Sequence, residues 1–234
     1  MLKNQIVLIT GASRGIGRSI AELCAQQQAY VIVGARTQLG YERVVDAIIH
    51  QGGQAEGVLL DVTQEHQVAQ AIQKVIDQHG HIDVLVNSAG IIQYHTPVWQ
   101  TSIADWDQMM KVNLRGTFLC CHAVVPHMIR QKSGRIVNLG SSSARMADDD
   151  LGAYTASKWA VAGYTTSLAR SVRTYGIRVN GLNPGWVDTD MSRAYDANGD
   201  EAWSTPEEIA HAALYLMTHA PRDMTGQFID IFGS

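Results

Sequence analysis

QIVLITGASRGIG, residues 5–17, sets the reading of the whole chain. Gln5 to Thr10 is a short, unbroken apolar run, the pattern of a strand buried on both faces in a parallel sheet. A turn with Gly11, Gly15 and Gly17 ends it, and a helical stretch follows from Ile16 to about Gln28. Glycines there let the backbone approach a pyrophosphate, whose charge the free N–H groups and the helix dipole stabilise. A glycine turn held between a buried strand and a helix is the context in which a dinucleotide binds. The candidate contacts in this turn are Gly11, Ser13, Arg14, Gly15, Ile16 and Gly17.

Outward from the turn, strand and helix patterns alternate to the end of the chain. Tyr30 to Ala35 (YVIVGA) reads as the second strand, and Gly57 to Leu60 as the third. A helix from about Gln64 to His79 has apolar positions at Val68, Ala71, Ile72, Val75 and Ile76. Ile82 to Val86 gives a fourth strand that ends in the small residues Asn87-Ser88-Ala89-Gly90, which leave room for a ligand. A helical region then runs from about Ser102 to Gln131 with Asn113 inside it, where an asparagine is unfavourable and invites an explanation. RIVNLGSSS supplies a fifth strand, Ile177 to Pro184 a sixth and Phe228 to Phe232 the last. This alternation predicts an α/β doubly wound sheet, and a length of 234 residues suits a single domain over 1–234.

The ribose end of the nucleotide site lies where the second strand stops. An acidic residue there would bind a free 2′-hydroxyl, but the chain offers Ala35 and then Arg36. With Arg14 as a second cation, the pair suits a 2′-phosphate and so NADP(H). Asp61, followed by Val62, stands at the end of the third strand to accept from an adenine amino group.

Chemistry is suggested by LGAYTASKWAVAGYTTSLA, residues 151–169, which has Tyr154 and Lys158 four apart at the front of a long helix. At that spacing the side chains lie one turn apart on one face. An ammonium beside a phenol favours the phenolate and lowers a pKa that otherwise sits near ~10. Tyrosine then becomes a usable proton donor and acceptor.

Taken together, TGASRGIG, NSAG, YTASK and NPGWVDT resemble, in order and over essentially the whole chain, the short-chain dehydrogenase/reductase family. The resemblance implies a Rossmann-like domain with a central, mostly parallel seven-stranded sheet. It also implies a serine thirteen residues before the tyrosine, which is Ser141. Ser143 would share its side of an extended strand, so a register slip could exchange them. The implied roles are a Ser141 hydroxyl on the substrate carbonyl and Tyr154 as general acid/base. Lys158 would lower the tyrosine pKa and hold the ribose, and Asn113 would support a water in the proton path. Asn87, Ala89 and Gly90 would line the cofactor. Pro184 and Gly185 would pass beneath the nicotinamide, with Val187 and Thr189 on its carboxamide. Ser88 departs from the family's second asparagine and is expected to weaken one turn hydrogen bond.

The activity implied is an NADP(H)-dependent carbonyl reductase interconverting a ketone and a secondary alcohol. A 3-oxoacyl-[acyl-carrier-protein] reductase is the neighbouring reading, for which Lys132 and Arg173 suit a docking patch and Tyr175 does not. A non-catalytic NADP(H) sensor would have lost the tyrosine or lysine, and both stand here. The resemblance also implies a homotetramer or homodimer built on the Asn113 and Tyr154 helices. Substrate would be read by two loops. SRAYDANGDEAWST, residues 192–205, leaves little chain for a lid and implies an open pocket walled by Trp186, Met191, Tyr195 and Trp203. Asp148, Asp149 and Asp150 would stand at its mouth and disfavour anions. Thr205 and Pro206 read as N-cap and first residue of a further helix.

Composition narrows the rest. A net charge of −4 offers no basic field for nucleic acid or anionic membrane. No apolar run is long enough to span a bilayer and no leader pattern opens the chain, so a cytoplasmic protein is expected. Cys24, Cys120 and Cys121 form no CxxC pair and read as reduced and buried, and the nine histidines show no metal-ligand spacing.

Overall fold

The computed structural model describes residues 2–198 and 203–232. Among them seven strands form one sheet in the order β3-β2-β1-β4-β5-β6-β7. The strands are β1 Ile6–Thr10, β2 Tyr30–Ala35, β3 Gln54–Leu59, β4 Val84–Asn87, β5 Gly134–Leu139, β6 Ile177–Pro184 and β7 Phe228–Ile231. Every neighbouring pair is parallel. The expected mostly parallel sheet is thus parallel throughout. Strand order reverses at β1, so the helices that follow β1 and β4 leave on opposite faces of the sheet, and such a switch point opens a ligand crevice.

Alternation along the buried strands divides the interior into two layers. Val7, Ile9, Val31 and Val33 face α1 (Gly15–Gln26), α2 (Gln38–His50) and α8 (Pro206–Thr218). Leu8, Ile32, Leu85 and Ile136 face the other way, onto α3 (Glu65–His79), α5 (Gly116–Gln131) and α6 (Gly152–Val172). A strand apolar on both faces is what two helical layers demand. Two shorter helices, α4 (Ile103–Met109) and α7 (Asp190–Arg193), lie on the side that carries the cleft described below.

The sequence reading holds for most elements and misses two details. Strand β3 begins at Gln54, three residues before the expected Gly57, because it is the sheet's edge and its outer residues are polar and partly exposed. Helix α2 was not foreseen, since only Val44 and Ile48 are buried along it and its apolar stripe is thin. Helix α8 begins as expected: Thr205 accepts from the Glu208 N–H while Glu208 accepts from the Thr205 N–H, with Pro206 in the first turn. The three cysteines are free and buried, and burial pushes the Cys24 and Cys121 thiols up to about 12. Among the described residues no helix is long and apolar enough to cross a membrane, and no group of three or more His, Cys, Asp or Glu could hold a metal ion.

A buried polar line ties the sheet to α6. Asn87 Nδ2 donates to Asn138 Oδ1 at 2.9 Å, Asn138 Nδ2 to Thr165 Oγ1 at 2.8 Å, and Thr165 Oγ1 to the Val161 carbonyl at 2.7 Å. Asn138→Ala breaks this line at its centre and takes one buried hydrogen-bond partner from each of Asn87 and Thr165. It is expected to cost about 2 kcal/mol, measured by urea denaturation.

Candidate active site

A cleft of about 430 Å³ runs along the carboxyl ends of the strands, lined by the turns after β1, β2, β3, β4, β5 and β6. Its floor is set by close backbone approach. A Cβ built on Gly11, at φ +65°, would lie 2.7 Å from the Ala89 Cα, and one on Gly17 would lie 2.6 Å from the Gly11 carbonyl oxygen. Only glycine fits at either position. Thr10, at the end of β1, fastens the two turns together by accepting from the N–H groups of both Ser88 and Ala89 at 3.2 Å. Ser88 thus holds the turn through its backbone, and its side chain approaches Gly17.

At one end of the cleft stand Ser13, Arg14, Gly15, Ile16, Arg36, Asp61 and Val62. Arg14 begins α1 with no side-chain cap, and the first turn of α1 carries no acidic residue, so its N–H groups and dipole are available to an anion. Arg14 meets Asp190 at 3.6 Å, an exposed pair that contributes little. Arg36 is exposed and forms no ion pair among the described residues. One oxygen of Asp61 accepts from both the N–H and the hydroxyl of Thr63, at 2.9 and 2.8 Å, which leaves the other oxygen for a donor.

Toward the other end lie Ala89, Gly90, Pro184, Gly185, Val187 and Thr189. The chain is fixed on both sides of Val187: Ser204 N–H donates to the Trp186 carbonyl at 3.0 Å and Asp188 N–H to the Ser204 carbonyl at 2.9 Å. Among the described residues Val187's own N–H and carbonyl have no partner, which is the complement a carboxamide needs. Thr189 caps α7 by accepting from the Ser192 N–H.

Ser141 and Tyr154 face each other across this end, and Lys158 sits directly behind. Strand β5 stops at Leu139, and Ser141 is extended at φ −170°, after which the chain tightens into a turn over Ser142–Ala144. Ser143 therefore does not follow Ser141 along a strand. Its N–H donates to Ser141 Oγ at 3.2 Å, while the Ser141 N–H is held by Asn183 Oδ1, also at 3.2 Å. Ser141 Oγ keeps its own hydrogen for a further acceptor.

Lys158 is buried, with Nζ donating to the Leu139 carbonyl at 2.9 Å and lying 5.5 Å from the centre of the Tyr154 ring. The expected lowering of the Tyr154 pKa by Lys158 is reversed here. Part of Tyr154 opens to the cleft, yet dense protein around its phenol pushes the pKa up, and the Ser141 hydroxyl alone counters this. Burial likewise lowers the Lys158 pKa from 10.5 to about 8.

Asn113 has its explanation in the backbone. Met110–Arg115 is a π-helical turn between α4 and α5, a feature that recurs at functional sites. It presents Asn113 to Ile91, accepting from its N–H at 2.9 Å and donating to its carbonyl at 3.0 Å. The same amide donates to Ser157 Oγ at 3.0 Å, and Ser157 donates to the Tyr154 carbonyl at 2.7 Å. A Cβ on Gly90 would be 3.5 Å from Asn113 Oδ1 and 3.8 Å from Lys158 Nζ. Asn87, Asn113 and Lys158 thus stand behind the cleft wall and brace it. Thr10, Ser157 and Asn183 were not singled out in the sequence. Thr10 and Asn183 were detectable as polar residues inside apolar strands, whereas Ser157 carries no such mark.

The substrate loops differ from expectation. Trp186 and Met191 line the cleft, while Tyr195 packs at a tilt against Trp186 at 4.8 Å and Trp203 stacks on it at 5.4 Å. Tyr94, also unforeseen, lines the cleft as well. Of the three aspartates only Asp148 does so; Asp150 turns to His95 Nδ1 at 3.6 Å. Within the short segment after Met191, residues 199–202 lie outside the described residues.

The buried amine has a thermodynamic signature. Below pH 8 both folded and unfolded chains hold the Lys158 proton, and the fold bears the full cost of a buried ammonium. Between about 8 and 10.5 the unfolded chain keeps a proton that the folded chain has lost, so stability rises with pH across that window. Relative to Lys158→Met, the wild type should gain about 2–3 kcal/mol from pH 8 to 10.5 in urea denaturation.

Comparison with known proteins shows the family and the fold. Residues 5–200 match the family model for short chain dehydrogenase. A 3-oxoacyl-[acyl-carrier-protein] reductase of Synechocystis is 36% identical over 240 residues, covering 99% of this chain and 97% of that one. Among solved structures, a gluconate 5-dehydrogenase from Burkholderia cenocepacia in complex with NADP and tartrate superposes with a TM-score of 0.92 at 32% identity, covering 99% and 95% of the two chains. A 3-oxoacyl-[acyl-carrier protein] reductase from Brucella melitensis gives 0.90 at 32% identity, covering 99% and 91%. With a family match across most of its length and relatives above 30% identity along nearly all of it, this protein belongs to the short-chain dehydrogenase/reductase family of oxidoreductases.

Proposed function

We propose that the protein is an NADP(H)-dependent oxidoreductase that interconverts a ketone and a secondary alcohol, with Tyr154 as general acid and base. The observation that carries this reading is the meeting of Ser141, Tyr154 and Lys158 at the end of a cleft whose far end holds the glycine turn and two arginines. The choice of NADP(H) is supported by Arg14 and Arg36 and by the absence of a carboxylate at the end of β2; the Burkholderia relative holds NADP. The free N–H groups at the start of α1 suit the pyrophosphate, and the unpartnered Val187 backbone suits the carboxamide.

When bound, the cofactor supplies the hydride that reduces the carbonyl carbon. The chain's own residues supply position and the proton. Ser141 donates its free hydrogen to the carbonyl oxygen, holding it against Tyr154. Tyr154 gives that oxygen its proton as negative charge builds. Lys158, its amine fixed on the Leu139 carbonyl behind Gly90, would hold the ribose. Asn113 keeps the Ile91 and Tyr154 backbones in place beside this path. Self-association through α5 and α6 is supported by Phe118 and Trp159, which stand exposed there.

Reduction of 3-oxoacyl groups on a carrier protein is the second reading, favoured by what several relatives are called. Lys132 ends α5 and Arg173 follows α6, but both lie where β5 and β6 begin, at the edge of the sheet opposite the cleft. A carrier docked on them would have to serve another copy's cleft. An acyl thioester assayed beside a simple diketone separates the two readings.

Tyr154→Phe should lower turnover at least 100-fold while NADPH binding, followed by its fluorescence, is retained; unchanged turnover would refute the assignment. Arg36→Ala should weaken NADPH about tenfold and leave NADH unaffected. Because burial raises the Tyr154 pKa, ketone reduction should persist through neutral pH. Alcohol oxidation, which needs the phenolate, should climb with pH above it in initial-rate profiles.

A further inference from the structure

Beside Tyr154 the cleft carries an aromatic assembly that proton and hydride transfer do not require. Tyr94 lines the cleft, its ring 6.2 Å from Trp186 at an interplanar angle of 20° and 5.0 Å from Tyr195 at 54°. Trp186 stacks in turn on Trp203 at 5.4 Å and 15°. The rings come from the segments after β4 and β6, so the assembly joins two parts of the chain far apart in sequence.

Tyr94 is held where it stands. His95, in the left-handed region at φ +57°, stacks on Tyr195 at 4.6 Å and reaches the Asp150 carboxylate at 3.6 Å. The Thr96 N–H donates to the Asp150 carbonyl at 3.4 Å. A tyrosine held by the packing of its own ring and by the two residues that follow it can present its hydroxyl without a large entropic cost on binding. Among the described residues that hydroxyl has no partner; the hydrogen bond made by Tyr94 is to its main-chain carbonyl, from Thr96 Oγ1. Burial and the facing phenols of Tyr154 and Tyr195 push its pKa above the usual tyrosine value, so it stays a proton donor across the working range.

Resting on the reductase reading above, we infer that Tyr94 sets substrate choice: its hydroxyl donates to a second oxygen beside the carbonyl being reduced, and its ring and Trp186 take the flat, uncharged body of the ketone. The class of substrate is a cyclic or aryl ketone with an adjacent oxygen, such as an α-diketone. The donor at Tyr94 is un-ionised and calls for an acceptor, and the rings favour a planar apolar face. Charge on this side of the cleft comes from Asp148, which repels anions, while Arg14 and Arg36 are at the opposite end. A site built to hydrogen-bond a substrate oxygen discriminates against the analogue that lacks it.

The test compares 1-phenyl-1,2-propanedione with propiophenone on the wild type, Tyr94→Phe and Trp186→Leu. NADPH affinity reports an intact fold, and titration of the dione into the NADP⁺ complex reads binding apart from turnover. Tyr94→Phe should lower kcat/KM for the dione about tenfold and for the monoketone less than twofold, whereas Trp186→Leu should lower both. An equal effect of Tyr94→Phe on the two ketones, or none, overturns this inference and leaves the reductase reading standing. Dione binding that depends on Tyr94 without reduction upholds the subsite and contradicts the reductase reading. A wild type that neither binds nor reduces the dione overturns the subsite and leaves the reductase reading to be decided by other ketones.

Discussion

Gly11 can carry no side chain because the backbone of Ala89 occupies the space where one would begin. That single close approach brings the turn after β1 onto the turn after β4. The Thr10 hydroxyl then fastens them by accepting two N–H groups at once. Everything downstream inherits this spacing. The start of α1 points its free N–H groups along the cleft, Gly90 closes over the Lys158 amine, and Ile91 is delivered to Asn113. A sheet of seven parallel strands supplies the rigid base, but the crevice exists because two turns at the switch point touch.

Electrostatics divides the cleft into unlike halves. Cations and helix N–H groups gather at one end, and at the other a serine, a partly buried phenol and a buried amine meet. Burying Lys158 works against stability at neutral pH, and the fold accepts it with one hydrogen bond, to the Leu139 carbonyl. Such a cost is typical of sites where function and stability pull in different directions. Burial raises the phenol's pKa and lowers the amine's, so two values that nearly coincide in water are pushed apart. Proton transfer from Tyr154 to Lys158 then costs more than their free values imply.

Much of this was legible in the sequence, for reasons that differ by element. Strand β2 was readable to the residue because burial on both faces leaves an uninterrupted apolar run, and β6, interrupted by Arg178, Asn180 and Asn183, by its place in the alternation of strands and helices, whereas β3 at the edge hid the partly exposed Gln54, Ala55 and Glu56. The glycine turn and the Tyr154–Lys158 spacing were legible because geometry restricts what can stand there. Asn113 was noticed as an oddity, but the π turn that explains it depends on the distant Ile91 backbone and leaves no local pattern. Tyr94 and His95 escaped notice because their partners, Trp186 and Tyr195, lie about ninety to a hundred residues away, and only packing reveals aromatic stacking of that kind. The direction of the Tyr154 shift was misread for a related reason. Sequence spacing gives the charged neighbour but not the depth of burial, and here burial is the larger effect.

Hydride transfer between a nicotinamide and a carbonyl carbon is the step proposed for this cleft. The most direct measurement follows deuterium from NADPH labelled at C4, on each face in turn, during reduction of a ketone by the wild-type protein. Deuterium is expected on the carbinol carbon from one face only, since Pro184 and Gly185 would lie beneath the ring and the Val187 backbone would hold its carboxamide. Label transferred from both faces, or lost to solvent without reaching the alcohol, would contradict it.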